Sequence, residues 1–221
     1  MRVGLVSDVH GNWPALQSVL DDMPPVDHLL CAGDVVGYNP WPGECVDWAR
    51  ESGVLTVAGN HDRAVFADRL RMNAMANAAI GHTREQLDDG QHAWLRGLPV
   101  ERVELDGRVK LVHGHPDNPD RYTYPEQFAP GMLGEERALV LGHTHVQAHR
   151  SFDAGVVVNP GSVGQPRDDD PRAAYAVLDL PAEGTPTVEE RRVEYDIDRV
   201  QRRVNKVDLP ERIGSRLRLG R

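Results

Sequence analysis

Five short apolar segments of this 221-residue chain each run directly into acidic, amide or imidazole side chains flanked by glycine. A short apolar run bounded in this way predicts a buried strand. The carboxyl ends of parallel strands meet at one edge of a sheet, where binding sites are built. The chain is therefore constrained to a fold that gathers five strand ends in one place. The segments are LVSDVHGN (5–12), LLCAGDVVGY (29–38), VAGNHDR (57–63), LVHGHP (111–116) and LVLGHTHV (139–146).

The first half of the chain alternates predicted strands and helices. Asn12 is placed to cap the first helix, and Asn73 a later one. A βαβαβ order implies parallel strands joined by right-handed crossovers. The predicted strands are 2–6, 28–32 and 54–58, and the predicted helices are 13–22, 43–52, 73–87 and 91–97.

Beyond about residue 100 the pattern changes to strands joined by short turns. A long connector, 114–137, is predicted to be a lid or a substrate loop, and a helical tail occupies 196–221. Together the two halves predict an α/β fold, a four-layer αββα sandwich of two mixed β-sheets flanked by helices, formed by one domain over residues 1–221. The predicted strands of this half are 100–105, 109–112, 138–141, 147–151, 155–158, 173–180 and 187–195.

Charge and cysteine content restrict the class of protein. A net charge of −9 argues against a general nucleic-acid or membrane-surface binder, although a local metal centre can still attract a small phosphorylated substrate. Cys31 and Cys45 have neither disulfide nor zinc-site spacing, which is typical of a reducing compartment. No stretch approaches the roughly 18 apolar residues of a membrane span. A cytoplasmic protein that forms no stable complex with nucleic acid or membrane is expected.

The polar groups at the five strand ends are typical of metal ligands. Carboxylate, imidazole and amide groups without thiolate suit Mn, Fe, Ni, Co or Zn. Asp-x-His and His-x-His spacings place both side chains within reach of one centre. Seven ligands are too many for one ion but suit two ions that share a carboxylate. Each element alone has a simpler explanation, such as a helix cap or a turn, but their combination favours a metal centre.

The motif order Asp-x-His, Gly-Asp, Gly-Asn-His-Asp, His-Gly and Gly-His-x-His, over residues 8–145, resembles the calcineurin-like metallophosphoesterase family. The later stretch VVNPGSVGQPRDDDPRAAYAVLD, residues 157–179, is similar to the small bacterial and archaeal phosphodiesterase branch. The resemblance thus covers roughly residues 1–180. Only the C-terminal tail lies outside it.

This resemblance implies roles for named residues. Asp34 bridges two divalent ions, with Mn the first choice, and His61 is a catalytic histidine that binds neither ion. The implied reaction is in-line attack on phosphorus by a metal-bridging hydroxide, with His61 stabilising the transition state or protonating the leaving oxygen. The implied ligands are Asp8, His10 and His145 for one ion, and Asn60, His113 and His143 for the other.

The residues after Asp34 differ from those of one group in the wider superfamily, which bears on the class of substrate. Its protein phosphatases carry an acid and an arginine where this chain has Gly37 and Tyr38. Phosphoprotein phosphatase activity is therefore disfavoured. The resemblance to the small phosphodiesterase branch favours a phosphodiesterase, with a phosphomonoesterase or a dinucleoside polyphosphate hydrolase as alternatives. A non-catalytic scaffold of the same fold is disfavoured because His61 and all seven ligands are present. What orients His61 stays open, although Asp62 is its neighbour.

Five further residues are candidate substrate contacts, each with a structural alternative. Tyr38 and Asn39 either line the pocket or shape a turn, and His115 either contacts a phosphoryl oxygen or has a structural role. Arg167 and Arg63 are candidate phosphate ligands that an aspartate could instead hold in an ion pair. The expected partner is a small phosphorylated molecule, with a nucleotide as one candidate. A homodimer is an option by fold-level analogy alone.

Overall fold

The computed structural model describes residues 1–69 and 72–221, which form two five-stranded mixed β-sheets with helices. The strands are β1 (Arg2–Val6), β2 (His28–Cys31), β3 (Leu55–Thr56), β4 (Glu101–Glu104), β5 (Val109–Val112), β6 (Ala138–Val140), β7 (Ala148–Phe152), β8 (Gly155–Asn159), β9 (Ala173–Asp179) and β10 (Thr187–Val193). The helices are α1 (Trp13–Asp22), α2 (Pro42–Glu51), α3 (Asn60–Ala64), α4 (Ala74–Gln86), α5 (Asp89–Arg96), α6 (Ile197–Lys206) and α7 (Arg212–Ser215). Short 3₁₀ turns occupy Pro125–Gln127, Pro130–Met132 and Arg216–Leu219.

Each sheet contains three parallel strands. The first has the order β10-β9-β1-β2-β3, in which β1, β2 and β3 are parallel as the βαβαβ pattern predicted. The second has the order β4-β5-β6-β8-β7, in which β5, β6 and β8 are parallel between two antiparallel edge strands. The predicted class, two mixed sheets with helices, is confirmed.

The two sheets pack face to face through alternating apolar residues. Val3 and Leu5 of β1 point into the same buried cluster as Val109 and Leu111 of β5. Removing such side chains from water stabilises the fold by about 25 cal/mol per Å² of apolar surface. Helices α1 and α2 cover the outer face of the first sheet, whereas Phe128, from the 114–137 connector, packs on the outer face of the second. The fourth layer thus comes from a loop with short 3₁₀ turns.

The third strand differs from the prediction. The strand predicted over 54–58 spans only Leu55–Thr56, because the chain beyond it bonds elsewhere: the Ala58 N–H donates to the Pro99 carbonyl at 2.7 Å. The next segment forms α3, which the sequence did not predict. Asp62 stabilises the start of α3, since its Oδ2 accepts the Gly59 N–H at 2.9 Å.

The C-terminal tail packs against the segment that follows β2. Its helix α6 begins at an Asp196 cap, whose Oδ1 accepts the Arg199 N–H at 2.8 Å. Apolar tail residues such as Ile213 and Leu217 share one buried cluster with Tyr38 and Trp41. That residues 1–221 make a single domain stays a prediction, and this packing is consistent with it.

Candidate functional site

The carboxyl ends of five parallel strands meet where the edges of the two sheets come together. The three strands β1, β2 and β3 of the first sheet lead into the predicted acidic and amide ligands. His10 also follows β1, whereas the other three predicted histidine ligands follow strands β5 and β6 of the second sheet. Six of these side chains are fully or almost fully buried: Asp8, His10, Asp34, His113, His143 and His145.

The structure brings the predicted ligands into two groups. Asp8, His10 and His145 offer ligand atoms within 4.8 Å of one another, and so do Asp34, His113 and His143. The seventh, Asn60, places its Oδ1 3.2 Å from His113 Nε2. With Asn60 beside His113 and Asp34 between the groups, the two groups contain all seven residues that the family resemblance implies as ligands. That these residues bind metal stays a prediction.

Asp34 lies between the two groups. Its Oδ2 is 3.3 Å from Nε2 of His113 and 3.6 Å from Nε2 of His10, which belong to different groups. Its other oxygen, Oδ1, accepts the backbone N–H of His61 at 2.8 Å. One oxygen therefore fixes the carboxylate while the other faces the ligands of both groups, as a shared ligand requires.

Backbone carbonyls orient three of the histidines. The Nδ1–H groups donate to Val36 O (3.0 Å, His10), Ala32 O (2.7 Å, His113) and Gln165 O (2.6 Å, His145). Because a carbonyl only accepts, Nδ1 must carry the hydrogen. The Nε2 atoms are thereby turned towards the carboxylates, which is how proteins commonly orient metal-binding histidines.

The charge states of these groups follow from burial and proximity. Burial alone would raise the pKa of Asp8 and Asp34, but neighbouring histidines, chiefly His145 and His113 respectively, hold both well below the usual range. Burial lowers the pKa of His10 and of His145. Against the effect of burial, Asp34 and Asp8 raise the pKa of His113 to about 9. Both carboxylates are therefore charged in this cluster.

The donor set fits divalent cations. The Nε2 atoms of His10 and His145 lie 3.1 Å apart, and when both rings are neutral each presents a lone pair to the other. The buried Oδ1 of Asp8 makes no well-aligned hydrogen bond, although His145 Nε2 is 3.1 Å away. Facing lone pairs beside a buried carboxylate oxygen are stabilised by a cation placed among them.

His61 lies beside this cluster, with its side chain held by packing. Its ring centroid is 4.7 Å from those of both His10 and Tyr38, and its buried Nδ1 has no hydrogen-bond partner among the described residues. Burial lowers its pKa to about 4. Asp62 does not orient this ring, because its oxygens accept the backbone N–H groups of Gly59 and Val36. His61 also lies within ligand distance of His10 and Asp34.

Gly37 allows His61 this position. Its φ is +94°, and a Cβ on it would lie 2.4 Å from His61 Nδ1. At the position where the protein phosphatases carry an acid, this chain therefore has the glycine backbone of Gly37 in contact with the His61 ring. The orientation of His61 depends on that close approach.

Gly37→Ala is expected to lower kcat for a phosphoester by about 10²-fold, because a methyl group would displace the His61 ring from its working position. The free energy of unfolding should fall by about 1–2 kcal/mol from the left-handed strain alone. Gly53→Ala is the matched control, since its φ is +68° and none of the described residues lies within 4 Å of the added Cβ. A kcat equal to that of the unsubstituted protein would show that His61 does not need this contact.

Left-handed backbone conformations are concentrated at the site. In the part of the chain that the structure describes, ten non-glycine residues have positive φ, and six of them are predicted site residues. Such conformations are costly and persist where surrounding structure enforces them, often at functional sites. The six are Asp8, His10, Asp34, Tyr38, His143 and His145.

A cavity of about 600 Å³ opens from the ligand cluster towards solvent. Three of the five candidate substrate contacts, Tyr38, Arg63 and Arg167, line it, and their contact with a substrate stays a prediction. Asn39 and His115 do not line it. The buried Asn39 Nδ2 donates to the His10 carbonyl at 3.1 Å, and His115 Nδ1 accepts the Asp117 N–H at 3.1 Å within a turn. Both of these side chains form hydrogen bonds with the main chain.

Comparison with known proteins agrees with the geometry. A model of the calcineurin-like phosphoesterase superfamily domain matches residues 1–183. This chain belongs to that superfamily. It is 34% identical to a metallophosphoesterase of Sphaerobacter thermophilus of known structure, with a TM-score of 0.86 over 100% of this chain and 99% of the other. It is 31% identical to an uncharacterized protein of Methanocaldococcus jannaschii, over 99% and 98% of the two chains.

A third relative has a named activity. Phosphodiesterase YfcE of Escherichia coli is 27% identical over 81% of this chain and 88% of its own. The predicted resemblance to the small bacterial and archaeal phosphodiesterase branch is thereby confirmed, and the chain is a metal-dependent phosphoester hydrolase. Within residues 1–69 and 72–221, no helix is long and apolar enough to cross a membrane.

The structure adds residues at this site that the sequence patterns did not indicate. The Tyr122 ring stacks on the His143 ring, with centroids 3.9 Å apart and planes at 25°, and it lines the cavity. Ser7 donates its hydroxyl to Asp8 Oδ2 at 2.7 Å. Ser7 stood beside Asp8 in the first motif, whereas Tyr122 lay in the 114–137 connector, where no spacing distinguished it.

Proposed function

We propose that this chain hydrolyses phosphodiesters with two divalent metal ions, Mn²⁺ being the first choice. The observation that carries the proposal is the position of Asp34, whose Oδ2 faces histidines of both ligand groups. Asp8, His10 and His145 would hold one ion, and Asn60, His113 and His143 the other, with Asp34 shared. When bound, the ions would supply Lewis-acid activation of water and neutralise charge that develops on the phosphoryl oxygens.

His61 would act on the reacting phosphoryl group from beside the ligand cluster. Its ring lines the cavity next to Asp34 and Tyr38. From there its neutral ring would donate an N–H hydrogen bond to a phosphoryl oxygen, and its protonated form would donate a proton to the leaving oxygen. Aid of this kind contributes typically ~10²–10⁴-fold to the rate.

Arg167 would bind a non-bridging phosphoryl oxygen. Its Nη2 lies 3.0 Å from Gln165 Oε1 and 3.3 Å from the Tyr38 hydroxyl, and within residues 1–69 and 72–221 its buried Nε has no hydrogen-bond partner. No carboxylate of the described residues lies within ion-pair distance of it. Arg63 differs, because its guanidinium pairs with Asp120. A guanidinium without a carboxylate at the cavity wall favours an anionic substrate group.

The shape of the cavity supports a diester over a monoester. Besides the ligand cluster, its wall includes the small apolar side chains of Ala64, Ala67 and Ala76, together with Arg69 and Asn73. The small side chains would leave room for a second ester group. The substrate would be a small phosphorylated molecule, with a nucleotide as one candidate.

The proposed function is tested by removing metals with a chelator, restoring Mn²⁺ and comparing bis-p-nitrophenyl phosphate with p-nitrophenyl phosphate. We expect Mn²⁺-dependent turnover, a higher kcat/KM for the diester, and two ions per chain by elemental analysis. Preference for the monoester would indicate a phosphomonoesterase instead. Cleavage of diadenosine tetraphosphate alone would indicate a polyphosphate hydrolase, and a single ion per chain would contradict the dinuclear centre.

A further inference from the structure

The end of the C-terminal tail holds the loop that carries Arg167. The N–H of Asp169 donates to the Gly220 carbonyl at 3.1 Å, and Nε of Arg221 donates to Asp169 Oδ1 at 2.7 Å. The ion pair is exposed and contributes little by itself. The backbone hydrogen bond to Gly220 holds the loop more firmly than the ion pair, because Gly220 is buried. Two residues after Arg167, the loop is therefore fixed against the tail.

Gly220 lies too close to the loop to carry a side chain. Its φ is +61°, and a Cβ on it would come within 2.5 Å of Asp170 N and 2.7 Å of Asp170 O. Both are backbone atoms, so a side chain at position 220 could be accommodated only if the loop or the tail moved. This contact sets the distance between the tail and the loop.

The loop is also fixed on its other sides. The Arg167 N–H donates to the carbonyl of His145 at 3.2 Å, and the Asp168 carboxylate pairs with Arg192 of β10. Arg167 therefore extends from the loop at a point that lies between the ligand cluster and the C-terminal tail. Its guanidinium carbon lies 5.7 Å from the centre of the Tyr38 ring.

The tail supports Tyr38 as well. Tyr38 is buried in the same apolar cluster as Ile213 and Leu217 of the tail. Both members of the pair that lines this wall of the cavity, Tyr38 and Arg167, are therefore backed by tail residues. The tail lies beyond the part of the chain that the superfamily model matches, residues 1–183.

We infer that residues 212–221 are a positioning element for substrate binding: Gly220, by its close contact with Asp170, holds the loop so that Arg167 points over Tyr38 into the cavity. The inference rests on the proposed binding of a phosphoryl oxygen by Arg167. Gly220 is a positioning residue, and its effect on substrate is exerted through Arg167.

The test is Gly220→Asn, with Gly53→Asn as its matched control. Asparagine tolerates left-handed backbone, so both variants are expected to fold, but only at position 220 does the new Cβ meet neighbouring backbone. We expect Gly220→Asn to raise KM for bis-p-nitrophenyl phosphate about tenfold with little change in kcat, as the loss of a charged hydrogen bond would. Gly53→Asn should leave both constants unchanged.

A double-mutant cycle with Arg167→Ala separates positioning from general damage. In the Arg167→Ala background, Gly220→Asn should have no further effect on KM, because the group that it displaces is gone. Equal effects of Gly220→Asn in both backgrounds, or none in either, would overturn the inference. So would a raised KM in Gly220→Asn beside an unchanged KM in Arg167→Ala.

Titration with inorganic phosphate by calorimetry, after loading with Mn²⁺, gives a readout independent of turnover. It is done on four proteins: the unsubstituted protein, Gly220→Asn, Arg167→Ala and the double variant. If the unsubstituted protein fails to cleave the diester, the proposed function fails. The positioning role would still be supported if Gly220→Asn binds phosphate more weakly than the unsubstituted protein and if the same substitution does not weaken binding further in the Arg167→Ala background. Identical phosphate affinity in all four proteins would overturn it.

Discussion

Asp34→Asn is expected to lower kcat for a phosphodiester by about 10³-fold and to leave fewer than two metal ions per chain. The carboxylate oxygen that faces His10 and His113 becomes a neutral amide group, which is a poor shared ligand for two cations. A loss of about 4 kcal/mol of transition-state stabilisation corresponds to that change in rate. Steady-state kinetics with elemental analysis of the purified variant measure both effects.

Asp62→Asn is the control for Asp34→Asn. Asp62 is equally buried and lies in the adjoining segment, but its oxygens accept backbone N–H groups of Gly59 and Val36. We expect Asp62→Asn to keep both ions, whatever it costs in stability. Two tightly bound ions in Asp34→Asn would contradict the shared-ligand role. Loss of ions from both variants would show that metal content reports only on folding of this segment.

The ligand cluster could be predicted because it depends on a local and periodic signal. Each predicted ligand directly follows a short apolar strand, and the parallel order of β1, β2 and β3 follows from the helices between them. Two rules, burial of apolar runs and alignment of parallel strand ends, are then enough to bring Asp8 and Asp34 together. The prediction of two ions depended on the number of candidate ligands. The predicted role of each residue depended on the family resemblance.

Residues whose roles depend on long-range contacts could not be predicted. Tyr122 reaches His143 from a connector whose path no periodicity determines. Asn39 stood beside Tyr38 in sequence, yet the turn directs Asn39 to backbone carbonyls and Tyr38 to the cavity. The contact between Gly220 and Asp170 joins segments 50 residues apart, and nothing in either segment indicates the other. Local sequence patterns carry no information on such pairings.

His61→Ala is expected to lower kcat about 10²–10⁴-fold while the protein keeps two metal ions. The expectation separates His61 from the ligands: its side chain would act on the phosphoryl group, whereas its backbone N–H, which survives the substitution, binds Asp34 Oδ1. KM should change little, since Arg167 would still hold the substrate. Kinetics on bis-p-nitrophenyl phosphate and elemental analysis are measured on the same preparation.

His113→Ala supplies the contrast for His61→Ala. Both rings are buried beside Asp34, but His113 Nε2 lies 3.3 Å from Asp34 Oδ2 and its Nδ1 is fixed by the Ala32 carbonyl, the arrangement of a metal ligand. We expect His113→Ala to lose metal together with activity, and His61→Ala to lose activity alone. Loss of an ion from His61→Ala would make His61 a ligand, consistent with its distance from His10 and Asp34. Unchanged kcat with two ions bound would leave the chemistry to the metal centre and Arg167, since no role in catalysis would remain for the His61 ring.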